Sequence, residues 1–185
     1  MLGQVKTRLG RDIGEAEALS FYVRCLTQVI SECNAGNWLT EISVASQNDA
    51  KHPIFANHRT TPQVDGDLGQ RMRTVLECNS THHTLIIGSD IPQLRAKHIA
   101  TALTALRTHD LVFGPASDGG FWAVGCRQSV GLPAQFMKSV RWSSEHALED
   151  TLRTIPPDFK FAQVDMLSDV DNLEGFLKQK KTSPT

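Results

Sequence analysis

The sequence predicts an α/β fold with a mainly parallel sheet, and three observations carry the prediction. Segments of strand and helix character alternate through the middle of the chain, which implies right-handed crossovers between strands that run the same way. Leu85, Ile86 and Ile87 form a continuous apolar run in TLIIG at 84 to 88, the pattern of a strand covered on both faces. Acidic residues follow such runs directly, Asp90 in IIGSDIP and Asp118 in PASDGG, with Asp169 and Asp171 in SDVDN further on. If the runs are parallel strands, these carboxylates gather at one edge of the sheet, where open α/β sheets bind ligands. Hard oxygen ligands there suit Mg²⁺ or Mn²⁺, and a Mg²⁺ held by one or two carboxylates completes its shell with substrate phosphate and water. The class indicated is an enzyme acting on a nucleotide or phosphate ester.

The elements follow in order. From Glu15 to Cys33, the residues Leu19, Tyr22, Val23, Leu26, Val29, Ile30 and Cys33 recur at steps of three and four, one face of a helix. Glu41 to Ser46 alternates through Ile42 and Val44 as a strand, and Asp67 is placed to cap a helix carrying Leu68, Met72, Val75 and Leu76. After the run at 84 to 88, Pro92 ends the ladder. A helix through Ile99, Ala102, Leu103 and Leu106 leads to the strand Leu111, Val112, Phe113. Gly119 and Gly120 break the order before FWAVGC, a further strand and the candidate antiparallel one. A helix from about Ser144 to Thr154, the strand KFAQV and a last helix from Asn172 complete the chain.

At 185 residues with 40% hydrophobic residues, a single domain is expected. A formal charge of −1 with no basic run before the final KQKK leaves no electrostatic footprint for nucleic acid. No stretch has membrane-spanning length, and MLGQVKTRLG lacks the apolar segment of a signal peptide. Cys25, Cys33, Cys78 and Cys126 show no metal or redox spacing and read as reduced thiols of a cytoplasmic protein. HExxH, GxSxG and GxGxxG are all missing, which excludes their zinc, serine and dinucleotide chemistries.

GQVKTRL places Gly3, Lys6, Thr7 and Arg8 together ahead of the first predicted helix, where backbone amides and two cations suit a pyrophosphate. The spacing is not that of a Walker P-loop, and a solvated basic stretch is the other reading. Asp90 at a strand's carboxyl end caps a turn or holds a metal. Asp118 belongs to an ordinary tight turn, or its glycines Gly119 and Gly120 permit close backbone approach to a ligand. Asp169 and Asp171 flank Val170, so an extended segment points both the same way; either also serves as a cap of the helix near Asn172.

Read in order, GQVKTRL, GDLGQRM at 66 to 72, IIGSDIPQL, GPASDGGFWAVG, RWSS at 141 to 144 and SDVDN resemble the bacterial transferase family named for its association with radical-SAM and selenodomain genes. That family lies in the GT-A nucleotide-diphospho-sugar transferase superfamily, and the match covers nearly the whole chain. The resemblance implies a three-layer αβα sandwich and a metal-dependent, glycosyltransferase-like enzyme that moves a sugar from a nucleotide-diphospho-sugar to a small-molecule acceptor. It also implies roles. Gly3, Lys6, Thr7 and Arg8 would bind donor phosphates; Gly66, Asp67, Gly69 and Arg71 would border the nucleotide. Asp90 would hold Mg²⁺ or Mn²⁺, and Asp169 with Asp171 would approach the metal or the acceptor. Asp118, Gly119 and Gly120 would lie on the acceptor side, with Trp142, and Asp118 is the candidate for the catalytic base, a role that requires it to reach the attacking hydroxyl.

Ser89, Ile91 and Gln93 depart from the residues commonest in that family, while Asp90 and Pro92 keep to them. Members open on an apolar strand before the glycine-lysine loop, whereas only Met1 and Leu2 precede Gly3 here. A strand needs roughly five residues, so the first strand is expected to be missing, and the chain to fold imperfectly or borrow a strand from a partner. Oligomeric state is open. Two rival functions stand. One is nucleotidyl transfer from GTP or CTP to a phosphorylated acceptor, with Arg127, Lys138 and Arg141 as the extra cations; the other is a non-catalytic nucleotide-binding module.

Overall fold

The computed structural model describes residues 7–78, 81–128 and 130–168. These fall into two compact units. One comprises the described residues through Gln63 with Ser89–Leu94 and Ser168, the other the described residues of Val64–Gly88 and Arg95–Leu167.

In the first unit, α1 (Thr7–Ile13) and α2 (Glu15–Cys33) precede β1 (Glu41–Val44) and β2 (Arg59–Pro62). The extent of α2 agrees with the predicted helix, and Gly14 separates it from α1 at φ 89°, a conformation glycine reaches without strain. The buried face is different. Ala18, Phe21, Cys25, Leu26 and Val29 are buried, and only Leu26 and Val29 belong to the predicted stripe. Two clusters account for this: Ala18, Phe21 and Cys25 pack with Ile13 of α1, while Leu26 packs with Val44 and Phe55, joined by half-buried Tyr22 and Ile30. A helix with two partners buries more of its circumference than one stripe.

β1 and β2 pair in parallel, Ile42 opposite Thr60 and Val44 opposite Pro62. β2, the sequence RTTP, carries no apolar alternation, so only its pairing marks it as a strand. The connection passes through 3₁₀ turns at Asp49–Lys51 and Pro53–Phe55, and Phe55 enters the core of this unit. The segment Ser89–Leu94 is tied to α2: Tyr22 Oη lies 3.3 Å from Ser89 Oγ, and Gln28 Nε2 donates to Pro92 O at 2.7 Å.

The second unit contains α3 (Leu68–Cys78), β3 (Thr84–Ile87), α4 (Ala96–Ala105), β4 (Leu111–Pro115), β5 (Phe121–Cys126), α5 (Ala147–Arg153) and β6 (Phe161–Gln163). Its strands are ordered β3-β5-β4-β6. β5 is antiparallel to both β3 and β4, and β6 is parallel to β4. The sheet is therefore mixed where a mainly parallel one was predicted. Ala116 to Gly120 is too short for a parallel crossover, which needs about a dozen residues or more, so the chain returns as a hairpin. The other three strands keep one direction.

All of β4 is buried. Leu111 and Phe113 join Met72 and Leu76 of α3, with Leu148 and Leu152 of α5 packed against them. Val112, on the opposite face by the two-residue period of a strand, joins Ala102 and Leu106 of α4. Burying each such side chain contributes about 1.5–3 kcal/mol. β3 is half-buried throughout rather than covered on both faces, because it ends the strand order among the described residues. At Gly114 and Pro115 the ladder slips by one residue. A β-carbon on Gly114 would lie 2.2 Å from Trp122 Cε2, so glycine makes room for an indole that is 1% exposed and donates from Nε1 to Asp165 O at 2.9 Å. The predicted last helix from Asn172 lies outside the described residues.

Candidate functional site

The GDLGQRM block builds the start of α3. Gly66 sits at φ 125°, and a β-carbon there would meet Gln70 Oε1 at 2.2 Å. Asp67 Oδ1 accepts from Gln70 N at 2.8 Å, and Gln70 Oε1 accepts from Asp67 N at 2.8 Å. This reciprocal pair satisfies two of the helix's orphan donors, so the predicted cap at Asp67 is present. Arg71 Nε donates to Gly66 O at 3.0 Å. Gly69, in the first turn of α3, is buried; a β-carbon on it would lie 2.6 Å from Trp142 Cζ2 and 2.8 Å from Met137 O. The structure thus brings Gly69 and Trp142 together, two residues predicted for different sides of the site.

Beside this helix start lies a recess of ≈ 340 Å³ lined by Asp67, Gly69, Gln70, Arg73, Phe136, Met137, Lys138 and Ser139. Its far wall is backbone under constraint: Met137 at φ 62° and Ser139 at φ 57° are left-handed without being glycine, as is Ser143 at φ 59°. Arg141 forks onto Asp150, with Nε to Oδ2 at 2.7 Å, Nη2 to Oδ1 at 2.8 Å and its own N–H to Oδ2 at 3.1 Å. Those hydrogen bonds hold the Asp150 carboxyl well below the usual carboxylate range.

Asp118 lies in the β4–β5 hairpin, where Oδ1 accepts from Gly120 N at 2.9 Å. Gly119 is at φ 87°, and a β-carbon on it would meet Glu145 O at 2.0 Å. This contact lays the hairpin on the loop that follows RWSS. A second recess, of ≈ 400 Å³, is lined by Ser117, Asp118, Gly119, Glu145 and His146. Glu145 and His146 were not predicted. Their one sequence signal is adjacency to RWSS, since their nearness to Asp118 arises from a contact 26 positions apart along the chain. His146 Nε2 is 3.7 Å from Glu145 Oε1, and its Nδ1 is 3.9 Å from Glu149 Oε2.

Asp90 belongs to the first unit and is half-buried, on a turn closed by Leu94 N to Ile91 O at 3.0 Å and anchored by buried Ile91 and Leu94. Thr7 and Arg8 begin α1, where a loop was predicted. Gly3, Lys6, Asp169 and Asp171 lie outside the described residues. Among the described residues no group of three or more His, Cys, Asp and Glu side chains is placed to hold a metal, so Asp90 is the described part of the predicted donor set. Of the three cations considered for a phosphorylated acceptor, Arg127 is paired with Asp110 and Arg141 with Asp150, leaving Lys138. No helix among the described residues is long and apolar enough to cross a membrane.

The chain is similar to a solved structure from Desulfovibrio desulfuricans G20 named a "putative nucleotide-diphospho-sugar transferase", with 24% identity, 98% of this chain and 83% of that chain covered, and a TM-score of 0.82. It is also similar to a homolog of Mycobacterium tuberculosis Rv0371c from Mycobacterium sp. strain JC1, at 10% identity, 85% and 82% coverage and a TM-score of 0.56. Rv0371c from M. tuberculosis H37Rv itself gives 11% identity, 87% and 84% coverage and a TM-score of 0.52. At these identities the likeness shows an α/β fold of that kind. No curated protein matches the chain. The model of the family described as "Uncharacterized protein conserved in bacteria (DUF2064)" matches residues 29–144, and the chain belongs to that family.

Proposed function

We propose that the protein is a metal-dependent, glycosyltransferase-like enzyme of the three-layer GT-A type, a single domain that transfers a sugar from a nucleotide-diphospho-sugar to a small-molecule acceptor. The observation that carries this is the fold likeness over 98% of the chain to the Desulfovibrio protein of that name. Asp90 offers a hard oxygen donor, which fits Mg²⁺ or Mn²⁺ completed by donor phosphate and water better than an ion needing a full protein cage. Asp90 would hold the ion, with Asp169 and Asp171 as its further candidates. Such an ion supplies charge stabilisation to a leaving nucleoside diphosphate.

The chain's own residues do the rest of the work. Lys6 and Arg8, with Gly3 and Thr7, bind the donor's phosphates; Gly66, Asp67, Gly69 and Arg71 border the nucleotide. Asp118 accepts the proton of the acceptor hydroxyl, with Gly119, Gly120 and Trp142 on that side. Of the three cations a phosphorylated acceptor would use, Arg127 and Arg141 are engaged with Asp110 and Asp150 and Lys138 alone is open to it, which gives nucleotidyl transfer less support than sugar transfer. Among the described residues no cysteine is in a disulfide, which is in keeping with a reducing, cytoplasmic setting.

The test is a thermal-shift screen of UDP-, GDP- and dTDP-sugars and nucleoside triphosphates with and without Mg²⁺ or Mn²⁺. A metal-dependent shift with one nucleotide-sugar, lost in Asp90→Ala while that variant stays folded, is the expected result. A shift confined to a triphosphate, or unchanged turnover in Asp90→Ala, overturns the reading.

A further inference from the structure

The turn at 136–139 combines a rigid frame with uncommitted polar groups. The frame is held from several directions. Arg73 Nη1 donates to Pro133 O at 2.7 Å and to Phe136 O at 3.2 Å, and its Nη2 is fixed by Glu77 at 2.8 Å. Met137 N donates to Thr154 Oγ1 at 3.1 Å, and that hydroxyl donates to Thr151 O at 2.6 Å. Phe136 and Met137 are buried at 0% and 4% exposure, and Met137 O sits where Gly69 leaves no room for a β-carbon.

Within that frame Met137 and Ser139 both adopt left-handed backbone. Residues other than glycine do so at a cost, and such strain persists only where the surroundings over-determine it. Lys138 lies between these two residues. Lys138 and Ser139 are exposed and line the ≈ 340 Å³ recess, and among the described residues neither side chain has a hydrogen-bond or ion-pair partner. The other charges lining the recess are Arg73, offset by Glu77, and Asp67, whose Oδ1 is occupied by Gln70 N. The recess is thus lined by an ammonium with no ion-pair partner and by a carboxylate whose second oxygen is not used by the Gln70 contact. The recess is of the size that takes small organic ligands.

We propose that this recess binds a phosphorylated, hydroxyl-bearing molecule, with Lys138 contacting the phosphate and Asp67 accepting from a hydroxyl. Lysine serves phosphate as a point charge on a flexible stem, and here a fixed backbone sets where that stem begins. A free sugar phosphate and the ribose phosphate of a nucleotide share this chemistry. The inference deepens the donor side of the transferase reading, and it depends on that reading only if the nucleotide is the ligand.

The experiment is isothermal titration calorimetry on the full chain with uridine 5′-monophosphate and uridine, and with glucose 1-phosphate and glucose. Wild type, Lys138→Gln and Lys138→Glu are compared, all three confirmed folded by circular dichroism. At least one phosphorylated probe should bind about tenfold or more tightly than its uncharged counterpart, with Lys138→Gln losing most of that preference and Lys138→Glu all of it. Whichever of the two phosphorylated probes binds more tightly identifies the source. Absence of a phosphate preference, binding unaltered in Lys138→Gln, or no binding by any probe overturns the proposal. A metal-dependent thermal shift with a nucleotide-sugar that is the same in wild type and Lys138→Gln leaves the transferase reading standing and removes the recess alone. Glucose 1-phosphate binding through Lys138, in a chain that no nucleotide-sugar shifts, does the reverse.

Discussion

Gly69 and Trp142 touch because one of them has no side chain: a β-carbon on Gly69 would lie 2.6 Å from Trp142 Cζ2 and 2.8 Å from the carbonyl oxygen of Met137. The second contact is with backbone, which cannot move aside as a side-chain end can. Alanine is normally favoured over glycine in a helix by about 1 kcal/mol. Here overpacking of roughly 1–3 kcal/mol opposes that gain. Gly69→Ala is expected to be destabilising, by up to about 2 kcal/mol, in urea unfolding. Trp142→Phe in the double variant should recover part of the loss, since residues in contact are not additive.

Asp118 has a structural duty and a proposed chemical one, and they separate by substitution. Asparagine keeps the oxygen that accepts from Gly120 N at 2.9 Å but cannot act as a base. Asp118→Asn should stay within about 0.5 kcal/mol of wild type in stability while turnover falls about 10²–10⁴-fold. Wild-type turnover in this variant would remove Asp118 from the chemistry.

Arg141 and Asp150 make stability depend on pH in a defined direction. The hydrogen bond from the Arg141 side chain lowers the Asp150 pKa, so the folded state binds this proton less readily than the unfolded one. The pair's contribution is then complete above the unfolded carboxyl value of about 3.9. It is lost as the pH falls from there toward the folded value. Arg141→Gln should lower the urea midpoint at pH 7 and at pH 5, with the gap to wild type shrinking at pH 3. A gap that is constant across the three pH values would show that the pair acts by packing alone.

The cysteines should react unequally. Burial pushes the thiols of Cys33 and Cys126 up to about 11, helped by Glu32 and Asp110 respectively; Cys25 is buried and Cys78 exposed. Because the thiolate is the nucleophile, Ellman's reagent at pH 8 should modify one thiol quickly, lost in Cys78→Ser, and reach the others only on unfolding.

Local signals in the chain were enough to place many elements. The period of three and four from Glu15 to Cys33 marked α2 at the ends observed, and Asp67 marked the start of α3, because helix periodicity and capping act within a few residues. The apolar runs gave β3, β4 and β5, and the Gly119–Gly120 turn pointed to an antiparallel return. Other features came only from residues distant along the chain. The face of α2 that is buried depends on α1 and Phe55, and RTTP becomes β2 through its pairing with β1. Glu145 joins Asp118 through the carbonyl that Gly119 accommodates, and Lys138 joins Asp67 around a recess that two left-handed residues shape. Sequence by itself determined where α2, α3 and the apolar strands β3, β4 and β5 form, since that choice rests on neighbours a few residues apart; tertiary structure decided β2 and which side chains meet, since pairing, burial and close approach are properties of segments the chain brings together only on folding.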